Sequence, residues 1–200
     1  VDEKHPVNPG NPYGESKRMA ELEIKWFGQL FDLKYIIFRY FNVAGASEDG
    51  LIGDSKKPSQ LLVQNAVRGA LKIAPFKLTC PKVNTPDGTP IRDYVNVEDL
   101  AMAHIKALDY LAEKDSKSDI FNLGTGKGNS VLEIVKKVQE ITGVKFPIKQ
   151  AKARKGEWAK VYADNTKVKE SLGWEPQRDL AQTINSLVRW YKKHPQGWNY

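Results

Sequence analysis

The residues best suited to chemistry are a tyrosine and a lysine near the start of the chain. Tyr13 and Lys17 lie in the segment PYGESK, and their spacing of four residues is about one helical turn. On a helix both side chains therefore project from one face. An ammonium group beside a phenol favours the phenolate and lowers the pKa of tyrosine from about 10. The pair is a candidate general base with its tuning cation, although a surface pair is the commoner explanation of this spacing.

The residues around this pair predict the helix that must position it. Asn11 and Pro12 precede a helical stretch from about Tyr13 to Leu30, which places the pair in the first helical turn, at the mouth of a site. Four apolar side chains recur at helical spacing and are expected to face a core: Met19, Leu22, Trp26 and Leu30.

Beyond this helix, short apolar runs alternate with helical patterns. The continuous run from Tyr35 to Phe38 is typical of a buried parallel strand. Further strands are predicted at residues 91–95, 120–123 and 146–150, and further helices at residues 60–73 and 97–111. Residues 42–59 and 75–90 are predicted loops. Strands separated by helices predict an α/β fold with mostly parallel pairing.

Helix boundaries in the second half of the chain are marked by capping residues. Ser130 and Glu133 form a capping box for a helix that is predicted to stop at Gly143. Asp164 and Asp179 are predicted N-caps of two closing helices.

Composition excludes several classes of protein. With 40% hydrophobic and 28% charged residues, the chain is expected to be globular rather than disordered. The single cysteine, Cys80, excludes an internal disulfide and suits a reducing cytosol. No apolar run reaches the roughly 18–20 residues of a membrane span. The net charge of +7 is compatible with a nucleic-acid partner. The lysines are spread over helical segments, however, and this distribution favours solvated helix faces instead.

Four segments occur in an order that is far more specific than any one of them: HPVNPGNPYGESKRMAE, IIFRYFNVAGA, PDGTPIRDYVNVEDLAMAH and FNLGTGKGNSVLEIV. Together they resemble the extended short-chain dehydrogenase/reductase family, and within it most closely the UDP-glucose 4-epimerases. The resemblance covers nearly the whole chain. The start, VDEKHPVNPG, is no signal peptide and reads like a loop from something longer, so only the C-terminal part of such an enzyme is expected here.

The resemblance implies roles for the residues near the start of the chain. Tyr13 would be the catalytic base, and Lys17 would tune it and hold the nicotinamide ribose of NAD. Phe41 is expected beside the cofactor, and Asn42 would contact the substrate. The third catalytic residue of the family, a Ser or Thr upstream of the tyrosine, has no match, and neither has the glycine-rich phosphate turn.

The same resemblance implies a set of substrate-binding residues. Arg92 would meet the diphosphate, because its planar fork can bond two phosphate oxygens. Arg154 would meet phosphate, Glu157 would accept hydrogen bonds from ribose hydroxyls, and Val161 would lie beside the sugar C2 substituent. Gln60 and Leu61 stand where epimerases usually carry Asn-Leu, and the residues along the uracil, in a stretch that departs from the commonest pattern, are Lys77, Leu78 and Thr79.

Two other features are interpreted as structural. The run from Gly124 to Gly128 follows a strand and precedes a helix, but its third glycine is one residue early for a dinucleotide turn. His5, His104 and His194 show no metal-ligand spacing, so no metal is expected, and His104 is expected to be structural.

The expected fold is the C-terminal part of a Rossmann-like doubly wound domain with a small α/β substrate-binding domain. Residues 1–45 would end the NAD-binding domain and residues 46–200 would be mainly substrate-binding, with about 91–123 returning to the first domain. The intact enzyme is expected to interconvert UDP-glucose and UDP-galactose with tightly bound NAD, as a cytoplasmic homodimer with no nucleic-acid or membrane partner, and the chain alone is expected to be inactive. The alternatives are a non-catalytic nucleotide-sugar-binding module and a related dehydratase or decarboxylase.

Overall fold

Parallel strand pairs form most of the framework in the computed structural model, which describes residues 1–153 and 157–198. The strands are β1 (Ile36–Tyr40), β2 (Asn42–Ala44), β3 (Lys77–Leu78), β4 (Ile91–Asn96), β5 (Asp119–Leu123), β6 (Gly128–Ser130), β7 (Lys149–Gln150) and β8 (Lys160–Val161). β1 pairs with β5, β2 and β8 with β4, and β3 with β7, all in parallel. Only the pair of β4 and β6 is antiparallel among these described strands. The predicted α/β fold with mostly parallel pairing is therefore confirmed.

Helices connect these strands. They are α1 (Pro12–Phe31), α2 (Leu62–Ala70), α3 (Val97–Ala112), α4 (Val131–Thr142), α5 (Thr166–Leu172) and α6 (Leu180–Lys193). The capping box of Ser130 and Glu133 is present at α4, which ends at Gly143 in the left-handed conformation with φ of 67°. Asp179 caps α6 as predicted. At α5 the prediction is wrong by one residue: the N-cap is Asn165, because Asp164 instead accepts from the amide of Thr166, at 3.0 Å, in a turn before the helix.

Elements missed or misjudged by the sequence analysis are short and paired with distant segments. β3 lies in the predicted loop of residues 75–90 and pairs with β7, to which the predicted strand at 146–150 is reduced. β2 lies at the start of the predicted loop of residues 42–59 and pairs with β4. A strand of two or three residues carries too little alternation to be recognised locally and forms because a partner supplies its hydrogen bonds.

Two apolar clusters form the core. One lies between α2, α4 and α6, with Trp190, Ile134 and Val67 fully buried. The other packs α3 and α5 against β4 and β5 around Trp174, Phe121 and Val95. Successive residues of β4 point to opposite faces, so Tyr94 joins the first cluster and Val95 the second. β4 therefore separates the two clusters.

The predicted burial of the apolar stripe on α1 is wrong. Met19, Leu22, Trp26 and Leu30 are 53%, 41%, 61% and 70% exposed, and no residue of α1 is buried. Helical spacing shows which side chains share a face, but burial needs a second surface over that face. No other segment within residues 1–153 and 157–198 covers this stripe.

A single carboxylate joins three segments around β4. Asp93 is fully buried and accepts hydrogen bonds from the Thr125 amide at 2.8 Å, the Thr125 hydroxyl at 2.6 Å, the Gly126 amide at 3.0 Å and the Ala163 amide at 3.1 Å. A Cβ on Gly124 would lie 2.4 Å from Asp93 Oδ2, so glycine is required there. The amides of this turn bind a carboxylate of the chain itself, which supports the interpretation of residues 124–128 as a structural turn.

Asp93→Asn is expected to lower the free energy of unfolding by about 2–4 kcal/mol, because an amide replaces one acceptor oxygen by a donor that faces backbone N–H groups. The midpoint of urea unfolding measures this change. Asp109→Asn, an exposed substitution on α3, is the matched control and should change stability by less than about 0.5 kcal/mol. Equal midpoints for the two variants would show that the Asp93 charge is not needed.

Candidate functional site

The N-terminus of α1 presents Tyr13 and Lys17 to solvent. The Asn11 side chain caps the helix by accepting from the Gly14 amide at 2.8 Å, and Pro12 occupies the first helical turn. Tyr13 is 72% exposed, and Lys17 Nζ lies 5.4 Å from the centre of the Tyr13 ring. The two side chains therefore share a face, as their spacing predicts, and the ammonium lies over the aromatic ring. Among the described residues Lys17 forms no ion pair, so its donors are available to a ligand.

The junction between β1 and β2 carries Phe41 and Asn42. The Phe41 amide donates to the Leu123 carbonyl oxygen at 3.1 Å, and Asn42 begins β2 opposite Tyr94 of β4 with an exposed side chain. Two residues before Phe41, the guanidinium of Arg39 binds both carboxylate oxygens of Glu21 on α1, each at 2.7 Å. These hydrogen bonds lower the pKa of Glu21 and raise that of Arg39. Sequence analysis missed this link between α1 and the junction.

A second group of polar residues lies on β4 and the strand beside it. Arg92 faces Glu157 with 3.5 Å between Nη2 and Oε2, and the two side chains are 16% and 24% exposed. Arg92 is the register partner of Val161, as Tyr94 is of Asn42. Registered parallel partners point to the same face, as do residues two apart on one strand. Asn42, Arg92 and Val161 therefore share one face of the sheet.

Cys80 and Tyr94 lie next to this group. Burial raises the pKa of the Cys80 thiol, and the negative charge of Glu157 raises it further. Burial also raises the pKa of the Tyr94 phenol, which excludes it as a base near neutrality. Neither residue was predicted as a site residue, and the fold of the chain brings them together.

Most of the remaining predicted site residues lie at the start of α2 and in or directly after β3. Leu61 is the N-cap residue of α2 and is 38% exposed, with Gln60 exposed just before it. In β3, Lys77 is exposed, whereas Leu78 is 5% exposed and its carbonyl oxygen accepts from the Ala151 amide at 3.0 Å. Thr79 is half-buried. Arg154 lies outside the described residues.

Three further observations concern His104, metal binding and membrane spans. His104 is held by two hydrogen bonds of 2.7 Å, from Nδ1 to the Leu100 carbonyl oxygen and between Nε2 and the Tyr40 hydroxyl. Across residues 1–153 and 157–198, no cluster of three or more His, Cys, Asp or Glu is arranged to hold a metal ion. In the same ranges, no helix has the length and apolar character needed to cross a membrane.

The exposed pair of Tyr13 and Lys17 on one helix face, together with the mostly parallel α/β framework, indicates the protein family to which the chain belongs. Residues 1–124 match the NAD dependent epimerase/dehydratase family, and the chain belongs to that family. It is 42% identical to the UDP-glucose 4-epimerase of Lactobacillus helveticus over 99% of this chain and 60% of that protein. It therefore spans about 60% of the length of such relatives.

Solved structures agree with this assignment. A crystal structure of a UDP-glucose 4-epimerase is 40% identical and superposes with a TM-score of 0.91 over 99% of this chain and 60% of that one. The UDP-glucose 4-epimerase from Bifidobacterium longum, in complex with NAD+ and UDP, is 32% identical with a TM-score of 0.88 over the same shares. The resemblance seen in the four sequence segments is thus confirmed.

The raised pKa of Cys80 makes its alkylation a probe of the Arg92–Glu157 group. Glu157→Gln removes a negative charge that disfavours the thiolate, so alkylation by iodoacetamide at pH 8 should become about twofold faster or more. Mass spectrometry follows the reaction cleanly because Cys80 is the single cysteine. Glu140→Gln, at an exposed residue paired with Lys137, should leave the rate unchanged. A Glu157→Gln rate equal to that of Glu140→Gln would contradict the proximity of Cys80 and Glu157.

Proposed function

We propose that this chain is the C-terminal part of an NAD-dependent nucleotide-sugar 4-epimerase that interconverts UDP-glucose and UDP-galactose. The observation that carries the proposal is the pair of Tyr13 and Lys17 on one exposed helix face, with the Lys17 ammonium 5.4 Å from the Tyr13 ring centre. The related enzyme from Bifidobacterium longum, which binds NAD+ and UDP, supports the choice of ligands.

In the proposed mechanism Tyr13 is the general base. Its phenolate accepts the proton of the sugar 4-hydroxyl, and the positive charge of Lys17 stabilises the phenolate. NAD, which Lys17 and Phe41 would hold, would accept the hydride from C4 and return it to the opposite face of the 4-keto sugar. After the flat 4-keto sugar turns over, the Tyr13 hydroxyl returns its proton to the sugar oxygen. No net oxidation occurs.

The chain has residues suited to both ligands. Lys17 would donate to the hydroxyls of the nicotinamide ribose, and Phe41 would lie beside the nicotinamide. Arg92 would bind the diphosphate through its planar fork, with Arg154 as a further phosphate contact. Glu157 would accept from ribose hydroxyls, and its long 3.5 Å contact with Arg92 leaves both groups able to rearrange around the ligand.

The proposal includes further contacts with the substrate. Asn42 would bind the sugar nucleotide and Val161 would line the sugar pocket, since both share a sheet face with Arg92. Gln60 and Leu61 would contact the substrate at the start of α2, and the uracil would lie along Lys77, Leu78 and Thr79.

The proposed domain division is residues 1–45 with the NAD-binding domain and residues 46–200 with the substrate domain. The parallel pairing of β5 with β1 supports the return of residues 91–123 to the first domain. The exposed apolar stripe of α1 supports a homodimer of the intact enzyme. The chain alone is proposed to be inactive, because a third catalytic residue and a glycine-rich phosphate turn are not recognisable in it.

Tyr13→Phe in the full-length protein should lower kcat of UDP-galactose epimerisation by about 10²-fold or more, because it removes the ionisable hydroxyl and keeps the ring. KM should change little. Lys17→Met should shift the acid limb of the kcat profile to higher pH, since the cation that stabilises the phenolate is lost. A coupled assay measures both. Tyr110→Phe on α3 is the matched control, and a Tyr13→Phe kcat equal to the control would remove Tyr13 from the role of base.

Sugar choice tests the pocket around Val161. A small side chain there should leave room for an acetamido group, so the full-length protein should also accept UDP-N-acetylglucosamine. The register of Val161 with Arg92 supports a position of the Val161 side chain on the face that carries Arg92. The ring of Tyr162 lies near Gly128 instead.

Val161→Tyr should abolish activity on the acetylated sugar selectively, whereas Tyr162→Val should leave the preference unchanged because its side chain points to the other face. The ratio of kcat/KM for the two sugars measures the effect. A parental preference above about 10³-fold for the unacetylated sugar, some 4 kcal/mol, would mean that the pocket is already closed.

A further inference from the structure

Glu21 lies on the same face of α1 as Tyr13 and Lys17. The three residues are spaced four apart, which places them along one side of the helix. Glu21, at the end of this row, contacts a distant segment of the chain. Its two carboxylate oxygens accept hydrogen bonds from Nε and Nη2 of Arg39, at 2.7 Å each. Two parallel charge-assisted hydrogen bonds fix direction as well as distance.

Arg39 connects this face of α1 to a firmly held strand. It belongs to β1 and is the register partner of Asn122 in β5, whose side chain is 2% exposed. Phe41 and Asn42 follow two and three residues later on the same backbone. A displacement of Glu21 relative to Arg39 would therefore displace Tyr13 and Lys17 relative to Phe41 and Asn42.

The packing of α1 lies away from this row of residues. No residue of the helix is buried, the Tyr35 ring packs on Gly28 near the C-terminal end, and the apolar stripe proposed for the homodimer lies on the opposite face of the helix. The Arg39 and Glu21 side chains are only 23% and 16% exposed, whereas the other ion pair on the helix, Glu15 with Arg18, is local and more exposed at 42% and 39%. Glu21 lies eight residues from Tyr13, about 12 Å along the axis, so a small tilt at the ion pair moves the phenol appreciably.

We propose that the Glu21–Arg39 ion pair is a positioning device that sets Tyr13 and Lys17 against Phe41 and Asn42. This inference rests on the proposed epimerase function. Neither residue touches substrate. The pair acts through the helix, and misplacement of a reacting group by about 1 Å can cost roughly 10²-fold in rate.

Kinetics of the full-length protein test this role. Glu21→Gln should lower kcat by about 10-fold or more and leave KM for UDP-galactose within about twofold. The acid limb of the kcat profile should not move, because Tyr13 and Lys17 lie on the same helix and keep their mutual distance. The charge-swapped double variant, Glu21→Arg with Arg39→Glu, should recover part of the lost kcat. Arg18→Gln, which breaks the local ion pair on the same helix, should behave like the parent.

Hydrogen exchange provides a readout that does not depend on catalysis. In the same protein, Glu21→Gln should speed amide exchange in peptides from residues 12–31, with no change in peptides from α6, and Arg18→Gln should not. Unchanged exchange in α1 would overturn the proposal, and so would faster exchange with parental kcat. A raised KM at constant kcat, or a shifted acid limb, would overturn it in favour of a substrate contact or a charge effect. A parent protein without epimerase activity would refute the proposed function. The hydrogen-exchange result would still test whether the Glu21–Arg39 ion pair holds α1 in place.

Discussion

The hydrogen-bonded buried carboxylate of Asp93 is the interaction on which the arrangement of the residues around Arg92 depends. It lies on β4 between Arg92 and Tyr94, and it points to the face opposite to theirs. A buried charge is tolerated only when hydrogen bonds surround it, and Asp93 obtains them from the turn at Thr125 and Gly126 and from Ala163. The need to satisfy one carboxylate thus sets the positions of the turn and of the segment that carries β8.

That constraint reaches the other face of β4 through strand geometry. Because β8 is held beside β4, Val161 is in register with Arg92, and because β2 pairs with the far end of β4, Asn42 is in register with Tyr94. The face with Asn42, Arg92 and Val161 is therefore supported from behind by the hydrogen-bonded carboxylate of Asp93 and by the apolar cluster around Val95 and Phe121. The proposed diphosphate site at Arg92 would benefit from such a rigid base.

The helix that carries Tyr13 and Lys17 is held differently. α1 contributes no buried residue, and its position depends on the directional contact between Glu21 and Arg39. The two halves of the candidate site thus combine a packed sheet face with a helix held by a charged hydrogen-bonded pair. Charge-assisted paired hydrogen bonds fix direction as well as distance, and the proposed proton transfer by Tyr13 requires that precision.

The sequence by itself determined the features that depend on neighbouring residues. The shared face of Tyr13 and Lys17, the capping box at Ser130, the N-cap at Asp179 and the α/β class follow from spacing along a helix or strand, which local sterics impose. Only the tertiary structure decided the donors of Asp93, which lie 32 and 70 residues away, the pairing of Lys77–Leu78 with Lys149–Gln150, and the exposure of Met19 and Trp26. The physical reason is that periodicity specifies which side chains face together, whereas contacts across long loops depend on which surfaces the folded chain brings opposite each other.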